Sequence, residues 1–132
     1  MIRTTQSGGS ENEKLKGTGL HQSWGANPRI PGVRFEGPHL ESATIFSYTH
    51  LEWLEWVRKP DGEIIKIHFT SHTVTVIGTN LRELLLGLQQ MEVEWVSPLP
   101  RRFAALVADT TAMVFSIGVA ERNDQSAGGS GG

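Results

Sequence analysis

Three histidines lie near the middle of the chain, His50, His68 and His72, and Glu52 stands two residues beyond the first. Neutral imidazole nitrogens suit zinc, nickel or iron, and a carboxylate would complete a mixed ligand set. Their spacing weakens that reading. If Thr70 and Ser71 form a two-residue hairpin loop, Phe69 and His72 pair and share a face, while His68 points to the other side. Only a longer loop brings His68 and His72 together. A histidine on a solvated strand needs no ligand, so a metal-dependent protein built on His50, His68 and His72 is the alternative and not the leading reading.

Other constellations carry less. Glu52 and Glu55, or Glu92 and Glu94, could act as paired carboxylates; the second pair would sit about 7 Å apart on one strand face, a spacing compatible with two-carboxylate glycoside chemistry. Alternation with Val93 and Trp95 accounts for that pair more simply, as the wet face of a strand. There is no G-x-S-x-G, and Ser71 beside His72 is a sequence adjacency only. Gly17-Thr18-Gly19 is neither preceded by a strand pattern nor followed by a helix, so no phosphate loop is present. Arg101, Arg102 and Phe103 could form a small stacking and phosphate site for RNA, but a net negative chain disfavours nucleic acid. No cofactor is expected.

The tryptophans are more informative. Trp53, Trp56 and Trp95 fall within fewer than fifty residues, and such side chains usually occupy cores or contacts. Leu51 and Trp53 keep step with one another, whereas Leu54 and Trp56 are out of phase with them, so a strand over Leu51 to Val57 requires a bulge. A helix is the competing interpretation there, since Thr49 and Glu52 could form a capping box. The strand is preferred because Lys59-Pro60-Asp61-Gly62 is a tight-turn signal that needs two arms. Trp53 and Trp56 then face opposite ways unless the bulge intervenes. One face meets a helix; the other, with Ile64 or Ile77 nearby, stays open on a lone subunit. Trp53, Trp56, Ile64, Ile77 and Trp95 are therefore the interface candidates.

The elements that position these residues follow from periodicity. Ile65, Ile67 and Phe69 alternate with Lys66, His68 and Thr70, and Thr73 to Ile77 is almost wholly β-branched. Asn80 and Glu83 have capping-box spacing, and Leu81, Leu84, Leu85, Leu88 and Met91 form one helical stripe of about three turns. Gly87 interrupts it, a residue retained where something packs closely. Val93 to Val96 is a short strand stopped by Pro98 and Pro100; Arg101 to Ala108 is a loop or short helix. Met113, Phe115, Ile117 and Val119 alternate through a last strand, and Ala43 to Tyr48 adds one at the front. Strands grouped around one helix predict an α+β fold: a small, largely antiparallel sheet of about five to six strands, in flat or half-barrel form, with one amphipathic helix across one face.

Length and composition set the frame. The 132 residues suit one domain; 12 basic and 14 acidic side chains give a formal charge of −2, and the absence of cysteine excludes disulfides and thiolate chemistry. Residues 1–42 hold seven glycines and three prolines with sparse apolar residues, which reads as a flexible arm; the alternative is an arm that packs Trp24, Ile30 or Phe35 onto the domain or a neighbouring copy. Residues 43–120 are the domain, and 121–132 read as a disordered Gly/Ser tail. No apolar segment is long enough to span a membrane and no secretory signal is evident, which makes a cytoplasmic location the default. The expectation is a small non-enzymatic interaction or assembly domain, a homo-oligomer or an accessory subunit, whose partner is itself or another protein.

Overall fold

The computed structural model describes residues 22–37, 41–107 and 109–122. Among them are eight strands in two four-stranded sheets, where one sheet of five to six was expected. The class is nevertheless a small α+β fold, mostly strand with one α-helix among the described residues. The first sheet runs in the order β1 (Trp24–Ala26), β7 (Val93–Val96), β2 (Gly32–Glu36), β3 (Ala43–Ser47). Its pairs are antiparallel except β2 with β7. The second is a fully antiparallel sheet of β4 (Leu51–Lys59), β5 (Gly62–Phe69), β6 (His72–Thr79) and β8 (Met113–Glu121), in that order. No helix among the described residues is long and apolar enough to cross a membrane.

The two extra strands come from the segment that composition assigned to a flexible arm. Val33 and Phe35 flank Arg34 in β2 and are buried, and Trp24 and Ile30 pack against the same core. The arm that packs is thus the outcome for residues 24–36; residues 1–21 and 123–132 lie outside the described residues. Overall glycine and proline content concealed a five-residue alternation bounded by turn formers. Phe46 of β3 stacks on Phe69 of β5 at 4.3 Å between centroids, and Phe35 meets both edge-on. These rings join the inner faces of the two sheets, so the first sheet shares the buried cluster of Ile65, Ile67, Val74 and Val76 with the helix leucines Leu81, Leu84 and Leu88, where the helix alone was expected.

Buried polar groups take over where ladder bonds run out, and Ser23 links the first sheet to the second. Ser23 Oγ accepts from Val114 N at 3.0 Å and its carbonyl accepts from Ser97 N at 2.8 Å. Tyr48 sits in a 3-10 turn (Tyr48–His50) after β3; its hydroxyl donates to Val93 O at 2.7 Å and accepts from Val93 N at 3.0 Å. One side chain thereby satisfies both backbone groups of a buried strand residue. Burial pushes the Tyr48 phenol up to about 12, against the smaller opposing effect of the bond to Val93.

The helix α1 (Arg82–Gln89) differs in detail from its sequence signature. It is eight residues, nearer two turns than three. Its N-cap is Leu81 with no side-chain cap bond, so the Asn80–Glu83 capping box does not form. Asn80 adopts φ 56° and donates its side-chain amide to Asp109 O and Thr111 O. The helix start is held instead by Glu63 of β5, which accepts from Asn80 N and Leu81 N. Leu81, Leu84 and Leu88 are fully buried as predicted, but Met91 leaves the stripe: it turns to φ 59° and is 49% exposed. Met91 N bonds Leu88 O and Glu92 N bonds Gly87 O, the Schellman pattern with methionine at the left-handed position. Gly87 does admit a close approach, since a Cβ there would lie 2.9 Å from Val93 Cγ2 and 3.4 Å from the Trp24 ring.

Candidate interaction face

β4 carries the bulge that its mixed phases required. Leu51 pairs with Phe69 and Trp53 with His68, which leaves Glu52 as the extra residue, its carboxylate bonded to Arg122 at 2.7 Å. Beyond the bulge Leu54 and Trp56 pair with Ile67 and Ile65 on the core side. Trp56 therefore belongs to the interior margin, where its indole donates to Glu63 Oε1 at 3.1 Å. Trp53 is turned the other way.

The outer face of the second sheet is defined by three rows of laterally paired residues. Trp53, His68, Thr73 and Ala120 form the first; Glu55, Lys66, Thr75 and Gly118 the second; Val57, Ile64, Ile77 and Ser116 the third. Trp53 is 49% and Val57 45% exposed, with Ile64 and Ile77 half-buried between. The bulk is unevenly distributed: β4 presents Trp53, Glu55 and Val57, and β8 presents Ser116, Gly118 and Ala120. A Cβ built on Gly118 would meet nothing within 4 Å.

Polar contacts fix the largest side chain on this face. The Trp53 and His68 rings stack at 3.8 Å and 10°. His68 Nε2 lies 3.2 Å from Glu55 Oε1, and its Nδ1 lies 3.2 Å from Thr73 Oγ1. A carboxylate only accepts, so Nε2 donates; in the neutral ring Nδ1 then accepts from the threonine hydroxyl. Both nitrogens are committed, and the ring is held as a platform for the indole.

The other sequence candidates do not converge. Thr70-Ser71 is a two-residue loop, so His72 shares the inner side with Phe46, at 5.5 Å between rings, while His68 is outside. His50 lies in the exposed turn before β4. The three histidines of the metal alternative are thus separated, and no cluster of three metal-ligating residues occurs among the described residues. Ser71 Oγ does bond His72 Nδ1 at 2.7 Å, which sequence adjacency did not predict, but on an exposed turn. Arg101 and Arg102 begin a 3-10 segment (Arg101–Leu106) and lie over aromatic rings, Arg101 on Phe115 at 4.2 Å and Arg102 on Phe103 at 5.0 Å. Phe115 is the bulged residue of β8, which is why Val114, and not Phe115 as alternation predicted, enters the core. Trp95 lies over Gly25 within the first sheet, away from the face that carries Trp53. An open cleft of about 290 Å³ beside β1, lined by residues such as Ser23, Trp24 and Thr111, has no titratable side chain in its wall.

Sequence reasoning missed Gly118 and its small neighbours as a feature. Their signal was present in the last strand, where Ser116, Gly118 and Ala120 alternate with Ile117 and Val119. Comparison of the chain with protein-family models, with curated proteins and with solved structures returns no match.

Proposed function

We propose that this chain is a non-enzymatic association domain whose working surface is the outer face of the β4–β5–β6–β8 sheet. The observation that carries the proposal is Trp53: an indole half in solvent, stacked at 3.8 Å on an imidazole that is itself anchored on both sides. A large aromatic held rigid at a surface loses little entropy when it is covered, which is the property of an interface anchor. Val57, Ile64 and Ile77 extend the apolar surface on the same face. Separation of His50, His68 and His72, and the engagement of both His68 nitrogens, give the metal reading less support. The aromatic stacking of Arg101 and Arg102 gives the RNA reading none that is specific.

The test separates a face kept for association from one kept for folding. A triple variant, Trp53→Ser with Ile64→Thr and Ile77→Thr, is unfolded in urea at low micromolar concentration. The expected loss is below about 2 kcal/mol, as surface replacements give; a core truncation alone costs about 2–5. A variant that fails to fold in dilute solution would assign the face to stability and overturn the proposal.

A further inference from the structure

The two edges of the second sheet are finished differently. β4 is guarded in the way edge strands usually are, by its bulge and by Glu52, Glu55, Arg58 and Lys59. β8 from Ser116 to Ala120 has no charge, no proline and no break in register. The start of β8 is already occupied: Val114 N donates to Ser23 Oγ and Val114 O accepts from Leu99 N. Which groups stay open further along follows from one bond. Arg122 N donates to Ser71 O at 2.9 Å, and these residues face each other one step beyond His72 and Glu121. Facing residues of an antiparallel pair alternate between bonded and non-bonded. Ala120, Gly118 and Ser116 therefore bond β6, whereas Glu121, Val119 and Ile117 turn their N–H and C=O groups away from it. No strand among the described residues lies along that side. The core face is unfinished at the same place, since Val119 pairs with the fully buried Val74 yet is 40% exposed.

We infer that this edge is a strand-pairing site and that its occupant is β8 of a second copy, laid antiparallel about a two-fold axis normal to the sheet. The edge is separate from the face that carries Trp53. One register engages every open group: Val119 faces Val119 of the second copy, and Ile117 and Glu121 face each other on either side of the axis, each facing pair exchanging two bonds. An axis at Gly118 would set Glu121 against Phe115, the bulged residue, and an axis at Ala120 would carry Ile117 past the end of the opposing strand. In the chosen register Gly118 lies beside Ala120 without crowding, and the two valines meet across the axis to close the row that Val74 begins. No like charges face each other, and Ser23 and Leu99 lie beyond the paired stretch. Residues 123–132, which follow β8 directly, offer nothing larger than Ala127 to lie beside Ile117 and Val119. The guarded far edge stops the assembly at two copies. So short a contact stays below about 1,200 Å², which implies a dimer that dissociates at tens to hundreds of micromolar.

A charge-exchange experiment tests the pairing on the full chain. Sedimentation equilibrium up to millimolar concentration should show a wild-type monomer–dimer equilibrium. Val119→Lys and Val119→Glu each bring like charges together at the axis and should raise the dissociation constant at least about tenfold. An equimolar mixture of the two sets opposite charges there and should recover the dimer. Val119→Pro supplies a second route, because the N–H it removes bonds nothing within the subunit; it should fold and stay monomeric. A dimer that all three variants leave unchanged lies elsewhere on the molecule and overturns the inference. Variants that are monomeric alone and in the mixture take Val119 off the axis and overturn this register. Wild type that is monomeric at millimolar concentration overturns self-pairing. In that case slow amide exchange at Ile117 and Val119 identifies the chain's own terminus as the cover, and fast exchange leaves the edge to a different protein.

Discussion

Glu63 is the residue on which the junction of hairpin and helix depends, and replacing it is the most direct trial of the fold's logic. It stands at the turn end of β5, in phase with Ile65, Ile67 and Phe69, and its carboxylate accepts from Leu81 N at 2.8 Å, Asn80 N at 3.1 Å and Trp56 Nε1 at 3.1 Å. Leu81 precedes a helix with no side-chain cap of its own. A carboxylate there completes the orphan N–H groups and complements the positive end of the helix dipole. Hydrogen bonds to a charged group are worth about 1.5–3 kcal/mol each in net terms. Three would give at most about 5–9, but Glu63 is half-buried, so water replaces part of what is lost. Glu63→Ala should therefore cost about 2–4 kcal/mol, above the usual range of about 0.5–2 for a local cap. Glu63→Gln keeps one accepting oxygen and turns an NH₂ toward the remaining donor, for a loss of about 1–2 kcal/mol. Urea unfolding followed by far-ultraviolet dichroism reads both. A double-mutant cycle with Trp56→Phe should show coupling of at least about 0.5 kcal/mol. An alanine variant that loses less than about 0.5 kcal/mol, or a cycle that closes at zero, refutes the idea that this carboxylate joins the two elements.

Two further outcomes follow from single residues. Met91 holds a left-handed φ of 59° at the end of α1 and is 49% exposed; Met91→Gly should stabilise the protein by about 0.5–1 kcal/mol, since the helix end already has Schellman geometry, and an unchanged urea midpoint would count against it. Tyr48→Phe leaves Val93 N and O, both buried, without their partner and should cost about 1–3 kcal/mol at neutral pH. Its pH dependence has a definite sign. The folded phenol titrates near 12 against 10 unfolded, so the unfolded chain releases its proton first and stability falls as pH rises from about 10 to 12. The total is roughly 2–3 kcal/mol at 1.36 kcal/mol per pKa unit. Tyr48 is the chain's single tyrosine, so tyrosinate absorbance follows it alone, and a phenylalanine variant with the same alkaline loss would show that other groups cause it.

The legible parts of the sequence were those in which one period ran long enough to be heard. Ile65, Ile67 and Phe69, the β-branched β6, the Pro-Asp turn and the buried leucines of α1 all lie where local pattern placed them. The bulge in β4 was legible because two phases collided within seven residues. What escaped was set by contacts distant in sequence. Gly32 to Glu36 alternates with just two apolar side chains, Val33 and Phe35, and it becomes a strand by lying between β3 and β7. Asn80 and Glu83 have the spacing of a capping box, yet a carboxylate seventeen residues before Asn80 holds the site and Asn80 binds the turn before β8. Met113 to Val119 alternates on paper, but the bulge at Phe115 exchanges Val114 into the core.

The same contrast bears on the outer face. A sheet face made only for water needs threonine, lysine and glutamate, and the middle of this one has them in Glu55, Lys66, Thr73 and Thr75. Three departures from that norm occur together: a half-exposed tryptophan at one edge, paired isoleucines along one row, and a glycine at the opposite edge. Each taken singly is a cost to an isolated subunit, through exposed apolar surface or a weakened strand. Within this surface Trp53 has its stack on His68 and Ile64 its pairing with Ile77, whereas Gly118 has empty space around it.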